Sequence, residues 1–573
     1  MTKPARRGTN AKPPRPPGWR RQSSARRAKL DMAQNADVEF AARPPTMQQI
    51  SRHHSPAATT ARDRLRALWR QLTETATTRS VALAVFAFSM LTLLAWRLFV
   101  QMEVGDAAIW DYVAQAIRRG QIPYRDVVEI KGPASAYLSA LAMWLGQWVG
   151  LRDVMAVRVM QMLMTAALSV VIYLVGEVYL RRRMAALAAC LFPLTSYHFV
   201  SWVEGGTQPK LTMIFFGMLA LLMIARSRPF WAGASAMLSC LCWQPGLLFA
   251  GVACLIFSRY LTSWRDGRAL KVVAGTLLPL ALVVVYFYAV GGLTDLWTWT
   301  VAYNFNVYAP AELRSLGDML GHLWAVTLRI FRVDIVWVIL ALVGLIGFAV
   351  ERLRAKRPLK AVLQSPDLFR DALVIAPAVY LGFCLINFQS GPDFLPLFPF
   401  VGLFAGWLIT EAAARLQASR LAQSKPSLRR WVERLPAAAL LLLFILSAGR
   451  AVTFRMQEWT LKIQEQQLKL AYDRLGPDDQ VYVHGTLELL VMTNRPNLNP
   501  YILWDRNKAD YIAAKKYGGS VQMMIAEMEA AAPKMVALSR LRNIPQAVEL
   551  EQWVAQKYDK LPIVGYDIYI RKQ

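Results

Sequence analysis

About eleven apolar segments, most of them closed on one side by arginine and lysine, constrain this chain more than any other feature. A bilayer crossing needs roughly 20 apolar residues in helical form, and positive residues gather on its cytoplasmic side. Ser80 to Gln101 follows a basic stretch and so runs outward. Val154 to Leu180 ends in Arg181-Arg182-Arg183 and so returns. That return is the one crossing the charges allow there. Ala134 to Leu151, with Ser135, Ser139 and Gln147, is therefore expected to lie on the outer surface. The same rule sends Met184 to Val203 out, Leu211 to Ala225 in, Trp231 to Trp243 out and Gly246 to Tyr260 in. Val272 to Val290 goes out, Ile335 to Val350 in, Ala372 to Asn387 out, Phe394 to Ala412 in and Pro436 to Ser447 out. The fold class expected is a polytopic α-helical membrane protein with about 11 transmembrane helices and a small C-terminal α/β soluble domain.

Composition agrees: 55% of residues are hydrophobic. The net charge of +28 is uneven. Met1 to Arg79 holds 17 Lys/Arg against 5 Asp/Glu, which places +12 in one tail. Residues 1–78 read as a disordered basic cytoplasmic tail, with a short helix expected from Ala61 to Thr73. A basic tail can mark a nucleic-acid binder. Beside a membrane span it reads as an anchor facing anionic lipid, so membrane lipids are the expected partner and nucleic acid is not. The five cysteines lie in apolar runs, with neither disulfide nor zinc spacing. The first apolar run is span-length, so no cleavable signal peptide is expected.

This topology puts five loops outside: Glu103 to Asp153, Glu204 to Lys210, Gln244-Pro245, Gly291 to His322, and Asn387 to Asp393. The fourth carries Trp297, Trp299, Tyr303, Phe305 and Tyr308, which suit an interface or a sugar or isoprenoid surface. Residues 79–453 make the transmembrane domain, with 102–153 as its first outer loop. Residues 454–573 read as an extracytoplasmic α/β domain. Strands are expected at Val481 to Gly485, Lys534 to Leu538 and Ile563 to Arg571, and helices at Trp459 to Leu475, Ser520 to Ala531 and Gln546 to Tyr558.

The first outer loop is dense in charge between apolar segments, where ionised groups are costly to desolvate. Asp106 follows Gly105 and precedes thirteen residues of helical spacing, so it is expected to cap that helix. A cap also fixes a carboxylate's direction, so capping and catalysis are compatible. Lys131 stands before Gly132-Pro133 and either snorkels to the interface or holds a lipid-linked phosphate. Arg118, Arg119 and Arg125, taken singly, read as solvated or headgroup-facing, and Asp111 and Asp126 are weaker carboxylate candidates.

Taken together, Gly105-Asp106, the helix after it, Gly120-x-x-Pro123-Tyr124, Lys131-x-Pro133, Tyr137-Leu138 and the later Asp393-Phe-Leu-Pro396-Leu-Phe-Pro399 resemble the GT-C membrane glycosyltransferases. That group includes the protein O-mannosyltransferases and the lipid A aminoarabinose transferases. The resemblance implies sugar transfer from a polyprenyl-phosphate donor on the outer face of a bacterial inner membrane, with inversion at the anomeric carbon. The acceptor would be a lipid, a polysaccharide or a protein. It implies Asp106 as the base, Lys131 on the phosphate with Arg125 as helper, and Tyr124, Tyr137 and Asp393 at the substrate. Family members often carry a second acid in the next outer loop. Here that loop reads Glu204-Gly-Gly-Thr-Gln-Pro-Lys210. Either Glu204 stands in for it as a catalytic group or Lys210 adds a phosphate contact. No metal ligand set is assigned; a divalent ion, drawing on Glu129, His198, Glu204, Asp393 or His484, is compatible with the reading and not required by it.

Two other readings are weighed. An O-antigen polymerase or ligase on a pyrophosphate-linked donor would place its cations in a late outer loop, yet Gly291 to His322 holds Arg314 alone. A lipid-linked sugar transporter or flippase would bury ionisable residues mid-span, and the spans here are nearly free of charge.

Overall fold

The computed structural model describes residues 76–573, apart from 104, 260, 262, 313, 355–364, 454–459, 503–507, 509, 513–519, 540–546 and 573. The basic tail, but for its last three residues, and the helix expected at Ala61 to Thr73 lie outside the described residues. Everything described belongs to one compact unit, residues 68–573.

Helices dominate. The first starts at Thr78, where the Thr77 hydroxyl accepts from Ser80 N at 3.2 Å and so satisfies one of the first-turn donors. Six helices are long and apolar enough to cross a membrane: Thr78–Ala95, Asp153–Leu180, Arg268–Ala289, Ile335–Arg354, Gly391–Ala418 and Pro426–Arg450. A seventh candidate is the pair Arg183–Thr195 and Tyr197–Val203, bent by 68°, with Pro193 just before the break. Pro209–Ala225, Pro229–Cys242, Leu248–Phe257 and Ala372–Cys384 are apolar and shorter. Every segment read from the sequence as a span is thus helical, while six of the eleven reach spanning length unbroken.

Burial separates two classes among the long helices. Asp153–Leu180 and Gly391–Ala418 are 61% and 67% buried over their apolar windows, and the other four are 17–28% buried. Helices that show Leu, Ile, Val and Phe outward over such lengths, as Leu277, Leu282, Val285, Ile339, Leu342 and Ile346 do, have found no protein to cover them. Lipid is the solvent that fits.

The two ends of the bundle differ in charge chemistry. Arg181 pairs with Asp367 and Arg182 with Glu411, Arg183 lies 3.1 Å from Glu177, and Arg352 lies 2.6 Å from Asp371. These are residues that the charge rule assigns to one side, and they meet at one end. The expected outer loops gather at the other.

Four strands form one sheet in the order β1-β2-β4-β3: β1 (Val481–His484), β2 (Met535–Leu538), β3 (Tyr558–Lys560) and β4 (Ile568–Arg571). β1 and β2 run parallel, with Val481 opposite Met535. β4 runs antiparallel to both of its neighbours. β1 and β2 are buried along their whole length, which fits the all-apolar runs Val-Tyr-Val and Met-Val-Ala-Leu. This α/β segment shares a core with the first outer loop: Ile109, Trp110, Tyr112 and Val113 pack with Leu468, Val483, Leu490 and Ile568. Hydrogen bonds run the length of that contact. Glu103 N donates to Gln464 Oε1 at 2.9 Å, and Gln464 Nε2 donates back to Glu103 O at 2.6 Å. Gly105 N donates to Glu488 Oε1 at 3.3 Å, and Asn497 N to the Tyr112 hydroxyl at 2.8 Å. Val128 N donates to Pro500 O at 2.8 Å.

Replacing Gln464 by Leu leaves a buried peptide N–H and C=O at Glu103 without partners, at a cost of about 1–3 kcal/mol each. Gln464→Leu is therefore expected to lower the thermal midpoint of the purified full chain by several degrees. An unchanged midpoint would show that water replaces the amide.

Candidate functional site

At the end of the bundle where the expected outer loops gather lies a cavity of about 330 Å³. Its wall takes Ile130 and Lys131 from the first of those loops, Lys210 from the second, Gln244 from the third, Asn304 and Tyr308 from the fourth, and Asn387, Gln389 and Asp393 from the fifth. All five loops therefore contribute to one space.

Lys131 is fixed through its backbone. Ile130 N and Lys131 N donate to Glu129 Oε1 at 2.8 and 3.0 Å. Ile130 O accepts from Gln244 Nε2 and Asn304 Nδ2, both at 2.8 Å, and Lys131 O accepts from the Tyr124 hydroxyl at 2.7 Å. Gly132 presses the turn onto the helix Pro229–Cys242: a Cβ there would meet Leu241 O at 2.1 Å, so no larger residue fits. The ammonium sits 4.5 Å from the Trp110 ring centre. Burial, then the Lys210 charge, pull it below the ordinary lysine value, against the carboxylates of Asp106, Glu129 and Asp393.

Lys210 enters in the first turn of Pro209–Ala225. Its Nζ lies 2.6 Å from Asp393 Oδ1 and 4.7 Å from the Trp243 ring centre. Asp393 is held through both oxygens, since its Oδ2 also accepts from Gln389 N at 2.8 Å and Ser390 N at 3.1 Å.

Asp106 is the first residue of the helix Asp106–Arg118, and Gly105 occupies the cap position with no side-chain cap bond. The expected capping role is thus corrected: the exposed carboxylate is left free of the helix end. It shares a helix face with Trp110, four residues on, and Lys131 stands over Trp110. This brings the 106 and 131 side chains to the same corner, close enough for the Asp106 charge to act on the Lys131 ammonium.

Three other candidate residues have partners of their own. Arg125 does not line the cavity; it is held 2.9 Å from Asp126 Oδ1 and donates to Val290 O at 3.1 Å. Tyr124, buried and in the left-handed region with φ 71°, spends its hydroxyl on Lys131 O and so positions the lysine. Tyr137 points its hydroxyl at that of Tyr286, 3.0 Å away, outside the cavity wall. Glu204 ends the helix Tyr197–Glu204, and its side chain lies outside the described residues. Among the described residues no three His, Cys, Asp or Glu side chains converge to hold a metal: Glu129 caps peptide N–H groups, Asp393 is paired, and His484 bonds Ser539 O at 3.0 Å inside the α/β segment.

Solved structures share this architecture. ArnT from Cupriavidus metallidurans bound to undecaprenyl phosphate superposes with a TM-score of 0.55 at 13% identity, over 86% of this chain and 97% of that one. The apo state of ArnT gives 0.51 at 12% identity, over 88% and 98%. The Archaeoglobus fulgidus oligosaccharyltransferase tethered to an acceptor peptide gives 0.50 at 12% identity, over 86% and 74%. This chain has the GT-C fold. At such identities the likeness is one of fold. No protein-family model matches the sequence, and no curated protein matches it either.

One cluster beside this GT-C cavity was not singled out in the sequence. Glu103, Asp111 and Arg158 are fully buried together. Arg158 Nη2 lies 3.3 Å from Glu103 Oε2. Asp111 Oδ1 accepts from Thr207 N at 3.0 Å and from the Thr207 hydroxyl. Glu103 Oε1 and Asp111 Oδ2 both face Gly206, where an added Cβ would stand 2.9 and 2.8 Å from them. These two oxygens have no other donor; a proton shared between the carboxyls would satisfy both. The available signal was Asp111 itself, an acid amid the apolar residues of a buried helix.

Burial, then the Asp111 charge, hold the Glu103 carboxyl well above the ordinary carboxylate range, with Arg158 opposing. Above the unfolded value of about 4.3, the folded chain keeps a proton that the unfolded chain releases. Stability then falls as pH rises through the window up to the raised folded value. Glu103→Gln keeps the neutral form at every pH. It is expected to flatten the fall of the unfolding midpoint as pH rises above the ordinary glutamate value, and a slope equal to wild type would refute the retained proton.

Proposed function

We propose that the chain is an inverting glycosyltransferase that moves a sugar from a polyprenyl-phosphate donor to an acceptor hydroxyl of a lipid, glycan or protein. The observation that carries this is the exposed Asp106 carboxylate acting on the backbone-locked Lys131 ammonium, and Lys131 in turn lining a cavity walled by five loops. In the reaction the acceptor oxygen attacks the anomeric carbon while its proton passes to Asp106. The bond from that carbon to the phosphate oxygen breaks, and the electron pair leaves with the polyprenyl phosphate. Lys131 and Lys210 offset the charge that grows on the leaving oxygen. Tyr124, Gln244 and Asn304 keep Lys131 in register through Ile130 and Lys131 backbone oxygens.

Lys131 and Lys210 put two ammonium groups on the wall, against the Asp393 carboxylate there and the Asp106 carboxylate at the same corner. Two structural relatives hold such a lipid or an acceptor: one ArnT is bound to undecaprenyl phosphate, and the oligosaccharyltransferase is tethered to an acceptor peptide. We read the bent pair and the four short apolar helices as crossing with the six long ones, making eleven spans. The tail is then cytoplasmic, and the cavity and the α/β segment 454–573 lie outside the inner membrane.

Asp106→Asn is expected to cut transfer by about 10²–10⁴-fold without changing folding, and near-normal turnover would remove Asp106 as the base. Lys131→Ala is expected to cost about 10²–10³-fold in kcat with weakened donor binding. Release of polyprenyl phosphate from a labelled donor by the purified protein measures both.

A further inference from the structure

We propose that Glu488, from the α/β segment, is a positioning residue of the transfer: it takes over the capping of the helix that begins at Asp106 and so leaves the Asp106 carboxylate to the acceptor hydroxyl. The inference rests on the transferase reading above. A helix start is commonly closed from two sides. A Ser, Thr, Asp or Asn at the cap bonds a first-turn N–H, and a Glu three residues on bonds the N–H of the cap itself. This helix has neither. Its cap, Gly105, has no side chain, and its third residue is Ala108. The Gly105 N–H goes instead to Glu488 Oε1 at 3.3 Å, on a residue 383 positions along the chain. Gly105 sits at φ 61° and ψ −127°, a conformation open to glycine and costly for other residues. The bond therefore holds the chain at the point where it turns into Asp106, the acid of the helix's first turn.

Glu488 is itself fixed in place. It stands in the first turn of the helix Leu487–Thr493, which packs against Asp106–Arg118. Two further bonds tie that pair of helices together. Gln115 Nε2 donates to Val491 O at 3.0 Å, and Arg119 Nη1 to Asn494 Oδ1 at 2.8 Å. The half-buried Glu488 side chain is thus presented to Gly105 from a rigid base, and a negative charge at a helix N-terminus is favourable in its own right. The contact made by Gln464 differs in kind. Gln464 takes both the N–H and the C=O of Glu103 and joins the α/β segment to the chain before the turn. Glu488 makes its bond at the residue next to the base. Loss of Gln464 is therefore felt in stability, and loss of Glu488 in the rate of transfer.

The test compares Glu488→Leu, Glu488→Gln and Glu488→Asp as full chains. In detergent-opened membranes of the producing cells, which hold the acceptor, release of undecaprenyl phosphate is followed from a panel of labelled hexoses, pentoses and amino sugars linked to that lipid. The sugar that the wild type uses fastest then serves for every variant, at saturating donor. Glu488→Leu is expected to lower the rate by about 10–10²-fold, with undecaprenyl phosphate affinity and unfolding midpoint close to wild type. Glu488→Gln keeps an oxygen toward Gly105 N and is expected to recover most of the rate. Glu488→Asp keeps the charge but falls a methylene short of Gly105, and it is expected to stay slow; it decides the matter if the leucine variant does not fold. A wild-type rate in the leucine or aspartate variant, a glutamine variant as slow as the leucine one, or a loss of rate matched by an equal loss of undecaprenyl phosphate affinity would overturn the proposal. A wild type that turns over none of the panel would overturn the transferase reading, and this inference with it.

Discussion

An ammonium group at an apolar boundary is useful to a ligand only if it is held in place without being neutralised. Lys131 meets both conditions because its restraint falls on the main chain. Glu129 takes its peptide N–H, Tyr124 its carbonyl, and Gln244 and Asn304 the carbonyl before it. Beneath the charge lies the Trp110 ring, which attracts a cation without consuming its charge as a carboxylate would. Lys210 is held in the opposite manner, by a direct ion pair with Asp393. The two lysines thus divide the task. One carries a charge fixed through its backbone, and the other adds a charge paired with a carboxylate beside it.

That arrangement depends on parts of the chain remote in sequence. The helix bearing Asp106 and Trp110 is not held by the membrane bundle alone. Its opposite face is buried against the C-terminal α/β segment, and Gln464 and Glu488 reach the backbone on either side of residue 104. The α/β segment is accordingly a structural half of the site.

Much of this was legible in the sequence because the signals are local. Apolar runs bounded by arginine gave helices in every case, and the charge rule grouped five loops that do converge. The strands at 481, 535 and 568 follow from short β-branched and aromatic runs. Side-chain assignments fared unevenly, since a residue's type does not say what it will meet. Arg125 lies six residues from Lys131, yet Asp126 next to it and the Val290 carbonyl take its donors first. Tyr124 and Tyr137 belong to the motif through packing and positioning. Gln244 and Asn304 carried no signal, because their role exists only once two distant loops meet over Ile130. β3 went unread because Tyr558-Asp-Lys560 continues straight from a helix.

The neutral second loop has a physical reason in the buried pair. Glu103 and Asp111 come from the first loop yet lie against Gly206 and Thr207 of the second. Two carboxyls share that space with one guanidinium, Arg158, and burial already holds both above their ordinary values. A further acid on Gly205, Gly206 or Thr207 would be a third negative group near a pair that keeps a proton to limit its own charge. Glycine at 206 also leaves room for the two carboxyl oxygens that a Cβ would strike. Glycine at 206 is therefore what the first loop demands of the second. The helix that begins at Asp106 thus also carries Asp111, one half of the buried pair.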